Sequence, residues 1–297
     1  MTQTIPTKNI QSILAPNSDI NNQQLDNNSA VGDFIQETLA LTKRLFIQLQ
    51  RRPSSLVAGV IQPFMWLVLF GALFANAPQL FGDDISYAKF LAPGVIVFTA
   101  FSGALNAGLP IMFDREFGFL NRLLVAPLSS RYSIVAASTI YIIALSFIQT
   151  AVIIGASAFL GAGFPGFFGL SAIALIVFLI VLGVTALSLG LAFALPGHIE
   201  LLAVIFVTNL PLLFASTALA PLEFMAGWLK VIASLNPLTY AIEPIRYIYQ
   251  YGDWAIDSVV MQTPWIGFSF GAVVLVLLAF DALVLLAIQP LLRRRFA

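Results

Sequence analysis

The chain has 297 residues, of which 59% are hydrophobic and 9% are charged, with 14 basic residues against 14 acidic ones. Because a soluble domain carries roughly a quarter charged residues, the solvent around most of this chain must be lipid. The balanced charge argues against a nucleic-acid-binding surface, and a single histidine with no cysteine excludes disulfides, thiolate metal sites and histidine clusters.

Two segments precede the first long apolar run. Residues 1–30 are rich in Asn and Gln and contain no apolar run, so we expect a disordered polar tail. This tail lacks the basic end and apolar middle of a secretory signal, and we expect it to stay in the cytoplasm. Residues 31–52 carry apolar positions at helical spacing beside charged ones, which predicts an amphipathic helix in the headgroup plane.

Uncharged stretches predict six transmembrane helices within a membrane domain at 53–297. A membrane-spanning helix needs about 20 apolar residues. The stretches 53–82, 90–113, 201–222 and 258–280 hold one helix each, and 132–199 holds two, divided by the glycine-rich turn at 161–166. The predicted fold is therefore an all-α integral membrane protein with spans near 54–76, 91–113, 134–160, 169–195, 201–220 and 264–289.

The distribution of Lys and Arg predicts the orientation of these spans. With a cytoplasmic N-terminus, ten basic residues flank the inner ends (Lys43, Arg44, Arg51, Arg52, Arg115, Arg122, Arg131, Arg293, Arg294, Arg295) and three the outer ends (Lys89, Lys230, Arg246). Cytoplasmic loops retain Lys and Arg, so both termini are expected in the cytoplasm.

The loop from Asp114 to Ser133, between the second and third spans, is amphipathic. Its apolar residues fall on one face of a helix: Phe113, Phe117, Leu120, Leu124 and Leu128. Arg115 and Arg122 lie away from that face, and Pro127 is expected to end the helix. Periodicity leaves two interpretations open: a lever or docking surface, and an anchored connector.

The segment 221–263 is too apolar for an ordinary loop and too interrupted for a span. It predicts two short helices, at 229–235 and 240–251, joined at Asn236-Pro237 and dipping into the outer face. Its aromatic residues form either an interfacial belt or a ligand-stacking site. The charged residues Glu223, Lys230, Glu243 and Arg246 are candidates for an outer gate, and the last two can pair within a helix.

Three ionisable residues lie elsewhere at or near the spans. Asp281 is in the last span, where an acidic side chain is either a proton or substrate site or a hydrogen-bonding contact to a neighbouring helix. His198 and Glu200 lie in the turn between the fourth and fifth spans, where we interpret them as solvating residues.

None of the four lysines follows a glycine, so the chain contains no Walker A loop. If ATP drives this protein, a separate polypeptide must hydrolyse it. We therefore expect the chain itself not to be an enzyme.

Two stretches resemble the type-2 ABC transporter permeases, which include drug-resistance and polysaccharide- or lipid-export subunits. The first, 115–128, resembles the coupling-helix loop of that family; the second, 211–222 with Trp228, Leu229 and 236–246, resembles its fifth span and re-entrant segment. The resemblance implies contact with an ATPase by one group of residues (Arg115, Glu116, Phe117, Gly118, Leu120, Arg122, Leu124, Pro127). It implies an outer re-entrant gate containing a second group (Glu223, Trp228, Lys230, Asn236, Pro237, Tyr240, Glu243, Arg246).

The same resemblance implies a bacterial plasma-membrane exporter of a hydrophobic or amphiphilic substrate. Its partners would be a second permease subunit, two ABC ATPase subunits and membrane lipid, with no nucleic acid. ATP and Mg would bind the ATPase, and no cofactor would bind this chain. Two alternatives remain: an ion-coupled secondary transporter and a non-transporting membrane scaffold. The sequence of a secondary transporter would be expected to contain inverted repeats and several intramembrane carboxylates.

Overall fold

A computed structural model describes residues 27–74, 87–119, 130, 132–252 and 254–296. These residues form a predominantly helical protein, which confirms the predicted all-α class of membrane protein. The helices are α1 Asn27–Arg51, α2 Ser54–Leu73, α3 Tyr87–Leu105, α4 Gly108–Glu116, α5 Tyr132–Ser157, α6 Gly166–Ala194, α7 His198–Phe214, α8 Gly227–Leu235, α9 Pro237–Tyr251 and α10 Phe270–Phe296.

The amphipathic helix predicted before the first span is present as α1. It begins at Asn27, four residues before its predicted start, and Pro53 separates it from α2. One side packs on α5 and buries Thr38 and Thr42, whereas Leu39 on the other side is 60% exposed. Its position in the headgroup plane stays a prediction.

Five helical segments are long and apolar enough to cross a membrane, among the residues that the structure describes. They are Leu56–Leu73, Tyr87–Glu116, Tyr132–Ala162, Gly166–Ala194 and Phe270–Leu291. The protein is therefore a multi-pass membrane protein. The predicted fifth span is the apolar helix α7, which has 17 residues and is shorter than the other candidates.

Two of the long segments are interrupted. The predicted second span consists of α3 and α4, which are separated at Asn106 and Ala107. After α5, a π-helical turn at Ala158–Ala162 leads into the turn before α6, where Gly161, Gly163 and Gly166 have positive φ values of 91°, 80° and 72°. This confirms the predicted turn, because glycine adopts that backbone region without strain.

Helix α3 lies at the centre of the fold. It packs against α2, α5, α6 and α9, and 15 of its 19 residues are buried. Helix α10 packs along α6, and α4 extends the contact of α3 with α6. Phe90, near the start of α3, lies beside one cluster of polar residues described below, and α4 leads from the end of α3 to the other.

A short antiparallel hairpin precedes α10 and was not predicted. Strand β1, Val259–Gln262, pairs with β2, Gly267–Ser269, across an irregular register. The amide of Phe270 donates to the carbonyl oxygen of Ser258 at 2.9 Å, so the hairpin continues up to the first residue of α10. The predicted start of the last span near residue 264 is therefore wrong, because strand pairing takes the backbone groups that a helix would use.

Candidate functional site

The residues predicted to contact an ATPase begin at the end of α4. Leu120, Arg122, Leu124 and Pro127 lie outside the described residues. Among the others, Arg115 and Glu116 are the last residues of α4, and Gly118, with a φ of 73°, follows its end. We call Asp114, Arg115 and Glu116 the α4 junction.

Arg115 binds the C-terminal end of α6. Its guanidinium donates to the carbonyl oxygens of Ala192 at 2.8 Å, Leu195 at 2.6 Å and Pro196 at 2.6 Å. The last carbonyls of a helix have no partner within the helix and carry partial negative charge, so a cation there is favourable. Arg115 is thus positioned by its own chain.

Glu116 binds the N-terminal end of α7. Its Oε1 accepts from the backbone amide of His198 at 2.6 Å, and its Oε2 lies within hydrogen-bonding distance of His198 Nδ1. A carboxylate at this end satisfies an amide that has no partner within the helix. His198 begins α7, and its backbone amide and ring both contact Glu116, whereas its interpretation as a solvating residue stays a prediction.

The α4 junction also reaches α1. Asp114 pairs with Arg44 of α1 at 3.4 Å, and the Arg44 guanidinium lies 4.1 Å from the ring centroid of Phe119. Phe117 contrasts with its neighbours because it is 78% exposed, although it stacks on Phe113. Of the described residues predicted to meet an ATPase, Phe117 presents the most apolar surface.

At the other end of α7, Asn236 joins two helices. Its side-chain amide donates to the carbonyl oxygens of Leu212 at 2.7 Å and Ala215 at 2.6 Å, near the last residue of α7. Its Oδ1 accepts from the amide of Leu238 at 2.9 Å and so caps α9, which has Pro237 at its first position. The predicted junction of two short helices at Asn236-Pro237 is confirmed.

Arg246 of α9 is buried and binds three segments. It pairs with Glu243, donates to the carbonyl oxygen of Thr217, and lies 3.9 Å from the ring centroid of Phe90 on α3. Burial, the larger effect, lowers the pKa of the Arg246 guanidinium, and the Glu243 carboxylate raises it. The predicted intrahelical pair is present.

A cavity of about 400 Å³ brings three of the predicted gate residues together. Glu223, Glu243 and Arg246 line it, with Phe90, Tyr247, Gln250 and the hairpin strand β1 among the other lining residues. We call it the α9 cavity. Two carboxylates and one guanidinium, which is already paired, leave an excess negative charge among these lining residues.

The other predicted gate residues are elsewhere. Trp228 is 69% exposed and lines an apolar groove of about 590 Å³ between α7 and α8, and Lys230 is half-exposed on α8. Tyr240 is buried, with its ring 5.3 Å from that of Phe268 in an edge-to-face contact. The predicted gate set therefore divides into cavity-lining, groove-lining and packing residues.

Asp281 is buried at the contact between α10 and α6. Its carboxyl lies so close to the backbone of Gly183 that a Cβ there would overlap Oδ1, and the Phe280 ring would be 2.7 Å from the same Cβ. The glycine allows α10 to approach α6 closely.

Sequence reasoning missed one buried polar side chain that packs against glycines of two other helices. Gln149 of α5 is buried, and its amide occupies the space that a Cβ of Gly59 would take, while a Cβ at Gly103 would lie 3.1 Å from its Oε1. The signal in the sequence was a lone Gln in the uncharged stretch 132–199, and its packing against Gly59 and Gly103 is visible only in the structure. Among the described residues, no group of three or more His, Asp or Glu side chains could hold a metal ion.

Comparisons with known proteins point to one family. The model of the family described as "ABC-2 type transporter" matches residues 36–249. The chain is 55% identical over 264 residues to the transport permease ycf38 of Porphyra purpurea, which covers 89% of this chain and 91% of that protein; the corresponding protein of Cyanophora paradoxa is 51% identical with the same coverage. The daunorubicin resistance ABC transporter permease protein DrrB1 of Streptomyces coeruleorubidus is 26% identical over 234 residues, or 76% of this chain and 80% of that protein.

Proposed function

Because the chain belongs to the ABC-2 type transporter family, we propose that it is the membrane-spanning permease subunit of an ATP-driven exporter. The observation that supports this most is the extent of the family match, which includes the α4 junction and the charged residues of the α9 cavity, Glu223, Glu243 and Arg246. The exporter moves a hydrophobic or amphiphilic substrate out of the cytoplasm. ATP and Mg bind a separate ATPase subunit.

The proposed topology has six spans, with both termini in the cytoplasm of a bacterial cell and the chain in its plasma membrane. Helix α7 has 17 residues, or about 25 Å at 1.5 Å per residue, against about 30 Å of hydrocarbon. The segment that follows α7 is held by Asn236 and Arg246 through its carbonyl groups, which supports non-helical backbone at membrane depth. Helices α8 and α9 then form the outer re-entrant segment.

The assembly that we propose contains two permease subunits and two ATPase subunits. The exposed Phe117 and the predicted apolar stripe through Leu120 and Leu124 form the surface that meets the ATPase. Truncating a buried leucine typically costs about 2–5 kcal/mol, so Leu120→Ala combined with Leu124→Ala should uncouple export from hydrolysis if that stripe is buried against the partner.

The α9 cavity serves as the outer gate in this proposal. Glu223 and Glu243 line it together with a paired arginine, at the end of the molecule opposite the α4 junction. Glu243→Gln should change transport while the ATPase still binds, since Glu243 is remote from α4.

Co-purification and transport test the function. The tagged chain, extracted from its own cells in mild detergent, should retain an ATPase with a Walker A loop. Proteoliposomes of that complex should export a fluorescent amphiphile or daunorubicin when supplied with ATP and Mg²⁺, and EDTA should stop export. Export driven by a proton gradient without ATP would instead support the secondary transporter, and a complex with other membrane proteins but no transport would support the scaffold.

A further inference from the structure

Three consecutive residues at the end of α4 contact three different helices. Asp114 pairs with Arg44 on α1, Arg115 donates to carbonyls at the end of α6, and Glu116 accepts from His198 at the start of α7. The loop predicted to meet the ATPase follows directly. These residues therefore connect the end of α4 to α1, α6 and α7.

The charges of the α4 junction match the helix ends that they contact. Arg115, a cation, binds the end of α6 where carbonyls carry partial negative charge, and Glu116, an anion, binds the end of α7 where amides carry partial positive charge. Each contact is charge-assisted, which makes it about twice as strong as a hydrogen bond between neutral groups. The two contacts hold the turn Leu195–Gly197 from both sides.

The charged groups of Arg115 and Glu116, which could otherwise face a partner protein, make contacts within the chain. The Arg115 guanidinium makes three hydrogen bonds within the chain, and both oxygens of Glu116 face His198. A partner that turned these groups toward itself would have to displace the internal contacts. Phe117, which is 78% exposed, has no such constraint.

We infer that Asp114, Arg115 and Glu116 are positioning residues that transmit the movement of the loop to α1, α6 and α7, and that they do not bind the ATPase themselves. The inference rests on the proposed function. Its most direct consequence concerns α7, whose start is tied to α4 by the contact of Glu116 with His198 and whose middle is exposed at Phe206 and Val207.

The test uses the full permease with its co-purified ATPase in liposomes. Because the chain contains no cysteine, Phe206→Cys offers one position for a spin label on α7. The label's mobility is recorded with and without ATP, and the affinity for the ATPase is measured in parallel. The variants are Glu116→Ala, His198→Ala and their combination, with Glu116→Gln as the conservative variant and Glu200→Ala as a control on the same first turn of α7.

The expected result separates transmission from docking and from folding. Glu116→Ala should reduce the ATP-induced change at residue 206 by about tenfold, within the range of allosteric couplings, while affinity for the ATPase stays within about twofold. Glu116→Gln should retain much of the change because its amide oxygen still accepts from the backbone amide of His198. The double variant should lose no more than Glu116→Ala alone, since both act through one contact.

Other outcomes contradict the inference. A tenfold loss of ATPase affinity in Glu116→Ala would make Glu116 a docking residue, and an undiminished change at residue 206 would show that the contact transmits nothing. If Glu116→Ala fails to fold, Glu116→Ser replaces it, because the shorter serine side chain loses both the backbone and the ring contact with His198, and an undiminished change there has the same meaning. If no ATPase binds the wild-type chain, the proposed function fails and this inference with it.

Discussion

The Ser188 hydroxyl on α6 donates a hydrogen bond of 2.6 Å to the carbonyl oxygen of Leu105, the last residue of α3. The same hydroxyl accepts from the amide of Gly108, the first residue of α4, at 2.9 Å. A single side chain of one span thus satisfies two backbone groups at the break in another span. Inside a membrane no water is available to replace these bonds.

Replacing Ser188 with alanine should therefore destabilise the break between α3 and α4. Removing one partner of a buried hydrogen bond costs about 1–3 kcal/mol, and here two partners lose their bond. The measurement is the thermal unfolding midpoint of the purified permease in detergent. Ser171→Ala is the control, because the Ser171 hydroxyl is exposed and bonds within its own helix. Equal midpoints for the two variants would contradict the prediction.

The sequence predicted the helices well because their signal is local. Uncharged runs and the glycines at 161–166 located α5, α6 and the turn between them. It could not predict that Ser188 bridges the break in the second span, because that depends on how α6 packs against α3. The hairpin before α10 was missed for a similar reason: β1 is part of an apolar run, and its partner strand lies inside the segment assigned to the span.

The sequence predicted which residues belong to the candidate site better than it predicted the contacts that they make. Asn236-Pro237 and the Glu243 and Arg246 pair carry local signals, a helix cap and a spacing of three, and both are present. The contact of Glu116 with His198 joins residues 82 positions apart. A contact between such distant residues leaves no local pattern in the sequence. The sequence alone therefore predicted that His198 is solvated and that Glu116 contacts a partner protein.

Gly183→Ala should weaken the packing of α10 on α6. The added Cβ would overlap the Asp281 carboxyl and lie 2.7 Å from the Phe280 ring, so one helix must shift. Overpacking of this kind typically costs about 1–3 kcal/mol. Gly155→Ala on α5 is the matched control, since a Cβ there meets no atom within 4 Å. The unfolding midpoint should fall for Gly183→Ala and stay or rise for Gly155→Ala; the reverse order would refute the close contact.

Arg246→Met should disturb the protein more than Glu243→Gln. Methionine removes the hydrogen bond to Thr217 and the contact with the Phe90 ring, and it leaves Glu243 without its partner. Breaking a buried ion pair by removing one partner costs about 3–5 kcal/mol, less here because Glu243 reaches the α9 cavity. Glutamine at 243 keeps an oxygen that accepts from Arg246. The yield of monodisperse protein in detergent measures the difference, and equal yields would contradict it.

Helix α7 crosses the membrane in the six-span topology and does not in a five-span one, and two single cysteines distinguish these cases. Ser130 precedes α5 and is cytoplasmic in both topologies, whereas Ser258 follows α9 and is outside only if α7 crosses. Phe164, which is 57% exposed in the turn between α5 and α6, is outside in both and serves as the control.

The native chain contains no cysteine, so each variant reports one position. In intact cells, a membrane-impermeant maleimide should label Phe164→Cys and Ser258→Cys, and Ser130→Cys only after permeabilisation. A Ser258→Cys variant that is protected together with Ser130→Cys would show that the 17 residues of α7 do not cross, and the sixth span would be lost.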